Sequence, residues 1–247
     1  MREERTGAAD TERDRRETDA DTERDRWGAG AGAERDRRGA GAAGAGAKKA
    51  GAGAKKGDGR RAETRLRLFT AAVEVIAEQG YAAATVDAIA ERAGVAKGTV
   101  FYNFGSKEAL FAALLEHGIA RLAGALGEAD TGQPALDALD SVVMAQLRFF
   151  EEYGAFARVL LAEMWRTAWQ DAVARLREQA LGVYAGVLGR AVTEGAIRED
   201  LDVDTAATAV FGMVLTVSIE RRALHPDRPI EQLHATLVDL LHRRVSG

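Results

Sequence analysis

Residues 85–110 read TVDAIAERAGVAKGTVFYNFGSKEAL. Thr85 is a good N-cap for a short helix, and Asp87 in its first turn suits the positive end of the helix dipole. Gly94 ends that helix where a left-handed backbone is needed, a conformation glycine enters without a Cβ clash. A second short helix is expected over about 96–104. Gly105 breaks it, and Ser106 caps a longer helix. Ala90 is small enough to let the two short helices cross closely, and Ile89, Val95 and Val100 supply a small shared core. Two short helices joined by a tight Ala93-Gly94-Val95 turn make a helix-turn-helix pattern.

On the N-terminal side, Leu66, Phe69, Val73 and Ile76 recur on one face of a helix that ends near Gly80. On the C-terminal side, beyond Gly132 and Pro134, helices are expected at about 134–152, 155–167, 169–195, 203–224 and 229–245. No segment alternates as a strand does. The predicted fold class is all-α with about nine helices: a three-helix helix-turn-helix domain over 61–107, then a larger helical domain over 108–247.

Residues 1–60 have a different composition. They contain no Leu, Ile, Val or Phe, so they cannot bury enough surface to offset ordering entropy. Glu-Arg-Asp-Arg recurs at Glu12, Glu23 and Glu34, and Ala-Gly-Ala-Gly-Ala-Lys-Lys begins at both Ala43 and Ala50. No apolar seam accompanies the repeat. This tail is expected to be disordered. Its Lys48, Lys49, Lys55, Lys56, Arg60 and Arg61 read first as a solvated charge run, and second as a basic arm able to reach DNA phosphates.

The chain has no cysteine, which excludes disulfides, thiolate catalysis and cysteine-bound zinc. A net charge of −4 means that any DNA contact must come from a local basic patch. The opening Met-Arg-Glu-Glu-Arg lacks an apolar signal region, and no run approaches roughly 18 to 20 uninterrupted apolar residues. A cytoplasmic location without membrane contact is expected. No cofactor or metal is called for.

Two lysines oppose local rules. Lys97 and Lys107 each stand in the first turn of a helix, where a cation opposes the dipole at a cost of about 0.3 to 1 kcal/mol. They are either exposed lysines at small cost or cations compensated by a phosphate at each helix start; the surrounding pattern favours phosphate.

The run Ala-Gly-Val-Ala-Lys-Gly-Thr, then Phe-Tyr-Asn-Phe, then Ser-Lys-Glu, with the helix before it, resembles the DNA-binding domain of TetR-like regulators over about residues 64–115. The resemblance implies a homodimer on double-stranded DNA. It implies phosphate contacts by Thr85, Tyr102 and Lys107, and a major-groove face of Lys97, Gly98 and Thr99. Phe101 stands where the family often carries Tyr, so packing or a thymine methyl replaces a hydroxyl contact. Asn103 stands where His or Tyr is frequent and is also expected to meet DNA.

In the C-terminal domain, Phe149, Phe150, Tyr153, Leu160, Met164, Trp165 and Tyr184 form a bulky cluster. Singly, each reads as core; the resemblance implies an effector pocket among the middle helices, and as its lining these side chains would suit a small apolar or aromatic effector. Gly182, Gly186 and Gly189 leave room for a ligand or another helix to approach closely, and a helix crossing is the plainer reading. The resemblance implies that the last two helices pair with a twofold mate, with Val210, Val214, Val217, Leu233, Leu237 and Leu240 as the interface.

Other functions find little support. His117, His225, His234 and His242 fall in no catalytic pattern, so no enzyme is expected, although His234 and His242 lie two turns apart on one helix face. A DNA-binding protein without an effector is the other reading, marked by a tightly packed C-terminal core. The expected mechanism is repression from a palindromic operator, relieved by effector; activation uses the same parts with the opposite sign.

Overall fold

A computed structural model describes residues 52–163 and 166–245. The expected disordered tail therefore falls largely outside the described residues, as do Met164 and Trp165. Residues 52–60 were assigned to that tail, but they begin the first helix, α1 (Ala52–Ala83). The chain turns at Gly80 (φ 78°) and continues one turn further to Ala83. Then follow α2 (Val86–Arg92), α3 (Lys97–Phe104), α4 (Lys107–Ala129), α5 (Ala135–Glu152), α6 (Gly154–Glu163), a 3₁₀ turn (Thr167–Trp169), α7 (Gln170–Arg175), a π-helical stretch (Leu176–Leu181), α8 (Gly182–Thr193), α9 (Val203–Leu224) and α10 (Ile230–Val245). With 170–193 taken as one interrupted helix, the described residues hold nine helices and no strand.

The chain divides into two units at Leu110/Phe111. That is one turn later than the expected boundary, because the first turn of α4 belongs to the N-terminal unit. In this unit α1 packs on α2, and α2 on α3. Leu68, Phe69, Ala72, Val73, Ile76, Ile89 and Val100 are buried. The capping signals act as their chemistry requires. Thr85 Oγ accepts from Ala88 N at 3.1 Å, Ser106 Oγ accepts from Ala109 N at 3.1 Å, and Gly94 and Gly105 take φ of 63° and 80°.

In the C-terminal unit α9 packs against α5, α6 and α8, and α10 lies on α5. An internal polar hub crosses this core. Gln146 and Tyr184 are wholly buried. The Tyr184 phenol donates to Gln146 Oε1 at 2.6 Å, and Gln146 Nε2 donates to the Phe211 carbonyl at 3.0 Å. Burial pushes the Tyr184 phenol well above its ordinary range, which keeps it a neutral donor.

The expected crossing at Gly182, Gly186 and Gly189 is not where close packing occurs. A Cβ at Gly186 or Gly189 would meet nothing within 4 Å, and at Gly182 only the Arg177 carbonyl at 3.8 Å. The close approaches are Gly118, whose missing side chain leaves room for the Phe156 ring, and Gly154, which admits the Arg222 guanidinium. Sequence spacing along one helix does not report which face meets a neighbour.

Two helices, Lys107–Ala129 and Val203–Leu224, each hold an 18-residue window of mean hydropathy 1.4, enough to cross a bilayer by length and composition alone. α4 places Leu114, Leu115, Ile119, Leu122 and Leu126 in the core, and α9 places Ala207, Val210, Phe211, Val214 and Leu215 there.

Candidate nucleic-acid interface

α3 presents the accessible chemistry of the N-terminal unit. Val100 is its buried anchor, and this orients the rest of the short helix. Lys97 and Gly98 are exposed, Phe101 is 44% exposed and Tyr102 74% exposed. Ala96 makes no side-chain cap, so the helix starts with N–H groups that lack a side-chain acceptor. Thr85 is also exposed. A Cβ at Gly98 would meet nothing within 4 Å; the unit's own packing does not require glycine there.

The lysines are compensated inside the protein, which resolves the conflict with the helix dipole. Lys97 Nζ lies 2.8 Å from Asp87 Oδ2, and both side chains are more than half exposed. Lys107 Nζ donates to the carbonyls of Tyr81 and Ala84, each at 2.9 Å, and sits 4.3 Å from the centre of the Tyr81 ring. Lys107 thus straps the turn that leads into Thr85. Asn103 also faces its own helix: Nδ2 donates to the Thr99 carbonyl at 2.8 Å and Oδ1 is buried. Helical side chains lean toward the N-terminus, which carries this short amide back over the preceding turn. Thr99 is half-buried beneath it.

Sequence reading passed over the arginines that seat the helix-turn-helix. Arg67 donates to the Ala93 carbonyl at 2.6 Å and the Gly94 carbonyl at 3.3 Å, capping the end of α2. Arg65 donates to the Asn103 carbonyl at 3.2 Å and lies 4.5 Å from the Phe104 ring centre. Arg92 joins Glu74 and Glu78 of α1 at 3.2 and 2.9 Å. Arg65 and Arg67 on α1 and Arg92 on α2 fall among other polar residues of their helices, so nothing in the sequence set them apart.

The family profile described as bacterial regulatory proteins, tetR family, matches residues 68–114. The chain is 30% identical over 175 residues to the HTH-type transcriptional regulator TtgR of Pseudomonas putida, covering 67% of this chain and 82% of that one. The chain belongs to the TetR family. It is 29% identical over 153 residues to the fatty acid metabolism regulator protein of Bacillus subtilis, covering 60% of this chain and 78% of that one. Among TetR-family structures, the Bacillus subtilis regulator FadR in complex with stearoyl-CoA superposes with a TM-score of 0.63 at 25% identity, over 71% of this chain and 96% of that one. The chain is a DNA-binding transcriptional regulator, and its relatives are bacterial regulators.

The expected effector lining is closely packed. Phe149 lies 4.7 Å from Tyr153 and 5.7 Å from Phe150, ring centre to ring centre. Phe150, Leu160 and Tyr184 are at most 1% exposed. A cavity of about 410 Å³ lies elsewhere, bounded by Ala129, Asp140, Ser141, Met144, Ala145, Arg148 and His234. The expected dimer residues separate into two groups. Val210, Val214, Leu233 and Leu237 are buried within the protomer. Val217 is half-buried and Leu240 is 49% exposed. The periodicity located an apolar stripe, but that stripe first serves the chain's own core.

Proposed function

We propose that a homodimer of this chain binds a palindromic operator, represses transcription there, and is released by a small apolar or aromatic effector. The observation that carries the DNA reading is the exposed, uncapped face of α3, with Lys97, Gly98, Phe101 and Tyr102 projecting beside Thr85. Asn103 and Lys107, engaged internally, act by setting that face. In the free protein Asp87 holds Lys97; on DNA a phosphate takes its place.

Two recognition helices one DNA turn apart, about 34 to 36 Å, read a twofold site. Only 33% of the most apolar window of α9 is buried within the protomer, and Leu224 and Leu240 stand exposed on α9 and α10. These surfaces suit a second copy. The bound stearoyl-CoA of the FadR relative makes long-chain acyl-CoA the first effector class to test. The packed aromatic core supports the second reading, a DNA-binding protein without an effector. A cytoplasmic protein without catalytic activity is the reading consistent with regulator relatives.

The test is fluorescence-polarisation binding to duplex DNA from upstream of the chain's coding sequence, across a salt series, with and without acyl-CoA. Saturable binding that resists competitor DNA supports the operator reading. Release by acyl-CoA supports effector control, whereas binding insensitive to a panel of apolar ligands favours the second reading.

A further inference from the structure

α1 sets three arginines against the helix-turn-helix, and they differ in what their N–H groups do. Those of Arg65 and Arg67 are directed at backbone carbonyls of the unit itself. Arg61, one turn before Arg65, is exposed, and its guanidinium carbon lies 5.3 Å from the centre of the Tyr102 ring. Among the described residues no hydrogen bond or ion pair engages it. Tyr102 is itself 74% exposed on the DNA-facing helix. A guanidinium resting on an aromatic face keeps its planar edge open, and that edge matches the oxygens of a phosphate. The ring limits its rotamers before DNA arrives, so less entropy is lost on contact.

We propose that Arg61 and Tyr102 form a phosphate clamp: Arg61 contacts the DNA backbone directly, and the Tyr102 ring holds it in position. This rests on the DNA reading of α3 and extends the contact surface onto α1. The recognised group is a backbone phosphodiester, so the contribution is independent of base sequence.

The test is a double-mutant cycle. Wild type, Arg61→Ala, Arg61→Lys, Tyr102→Leu and the Arg61→Ala/Tyr102→Leu double variant are titrated by fluorescence polarisation across a salt series. The upstream duplex and a scrambled duplex of equal length are both used, and circular dichroism checks each fold. Arg61→Ala is expected to weaken both duplexes several-fold and to lower the salt slope by about one counterion. Arg61→Lys is expected to keep the slope. On the Tyr102→Leu background, Arg61→Ala is expected to cost clearly less, since the clamp is already open. A folded Arg61→Ala protein with unchanged slope and affinity would overturn the contact. An equal loss on both backgrounds would overturn the clamp. Absence of wild-type binding to either duplex would overturn the DNA reading, and the proposal with it.

Discussion

Lys97 and Lys107 occupy the same kind of position, the first turn of a helix, yet they have different partners. Lys97 faces an exposed carboxylate, a contact worth about 0 to 1 kcal/mol. Lys107 satisfies two backbone carbonyls. Lys97→Ala is therefore expected to leave the melting temperature nearly unchanged and to lower the DNA salt slope by about one. Lys107→Met is expected to destabilise the N-terminal unit by about 1 to 3 kcal/mol, since two carbonyls lose their donor; thermal melts compare the two. Gly98 separates stability from function in the same way. Gly98→Ala is expected to stabilise α3 by about 0.5 to 1 kcal/mol, because a Cβ there meets open space. If the backbone approaches DNA closely, the same variant weakens binding. Unchanged affinity in the polarisation assay would remove Gly98 from the contact face.

At the scale of elements, α4 carries its own control. At Gly118 a methyl group would collide with the Phe156 ring, whereas at Gly124 it would meet nothing. Gly118→Ala is expected to cost about 1 to 3 kcal/mol from overpacking, and Gly124→Ala to stabilise by about 0.5 to 1 kcal/mol, both read by denaturant unfolding. The turn after α4 is tied to α8 by Arg190, which donates to both Asp130 oxygens at 2.8 Å. That guanidinium holds the Asp130 carboxyl below its ordinary range, so the folded state favours the ionised form. The contribution is complete above the unfolded carboxyl's pKa, about 4. It is lost as pH falls through the lower folded value. Asp130→Asn is expected to cost about 1 kcal/mol at neutral pH. Calorimetric melts should show the gap from wild type narrowing toward about pH 3.

For the whole molecule, the question is which apolar residues serve the protomer and which serve a second copy. Leu237 is buried within the protomer, while Leu240 on the same helix is 49% exposed. Leu240→Glu is expected to yield a folded chain that sediments as a monomer, with operator affinity reduced because one half-site is lost. Leu237→Glu is expected to unfold the C-terminal unit, since it buries an unpaired charge. A Leu240→Glu protein that remains dimeric would exclude Leu240 from the interface. The tie between Arg221 and Glu151, with Arg222 donating to the Glu151 carbonyl at 2.8 Å, fixes the end of α9 to α5 in that unit.

Local signals made the architecture readable before any coordinates. Thr85, Gly94, Gly105 and Ser106 act through their own backbone and the residues three or four places away, so their roles follow from order along the chain. Apolar periodicity likewise marked the inward face of α1, where Phe69, Val73 and Ile76 are buried. The partners of a side chain across space were not encoded in that way. Lys107 meets Tyr81, Gln146 meets Tyr184 and Phe211, and Gly118 meets Phe156 because packing brings distant turns together. The same limit explains Val214 and Leu237. An apolar stripe specifies burial, and only the assembled tertiary structure decides whether the neighbour that buries it belongs to the same chain.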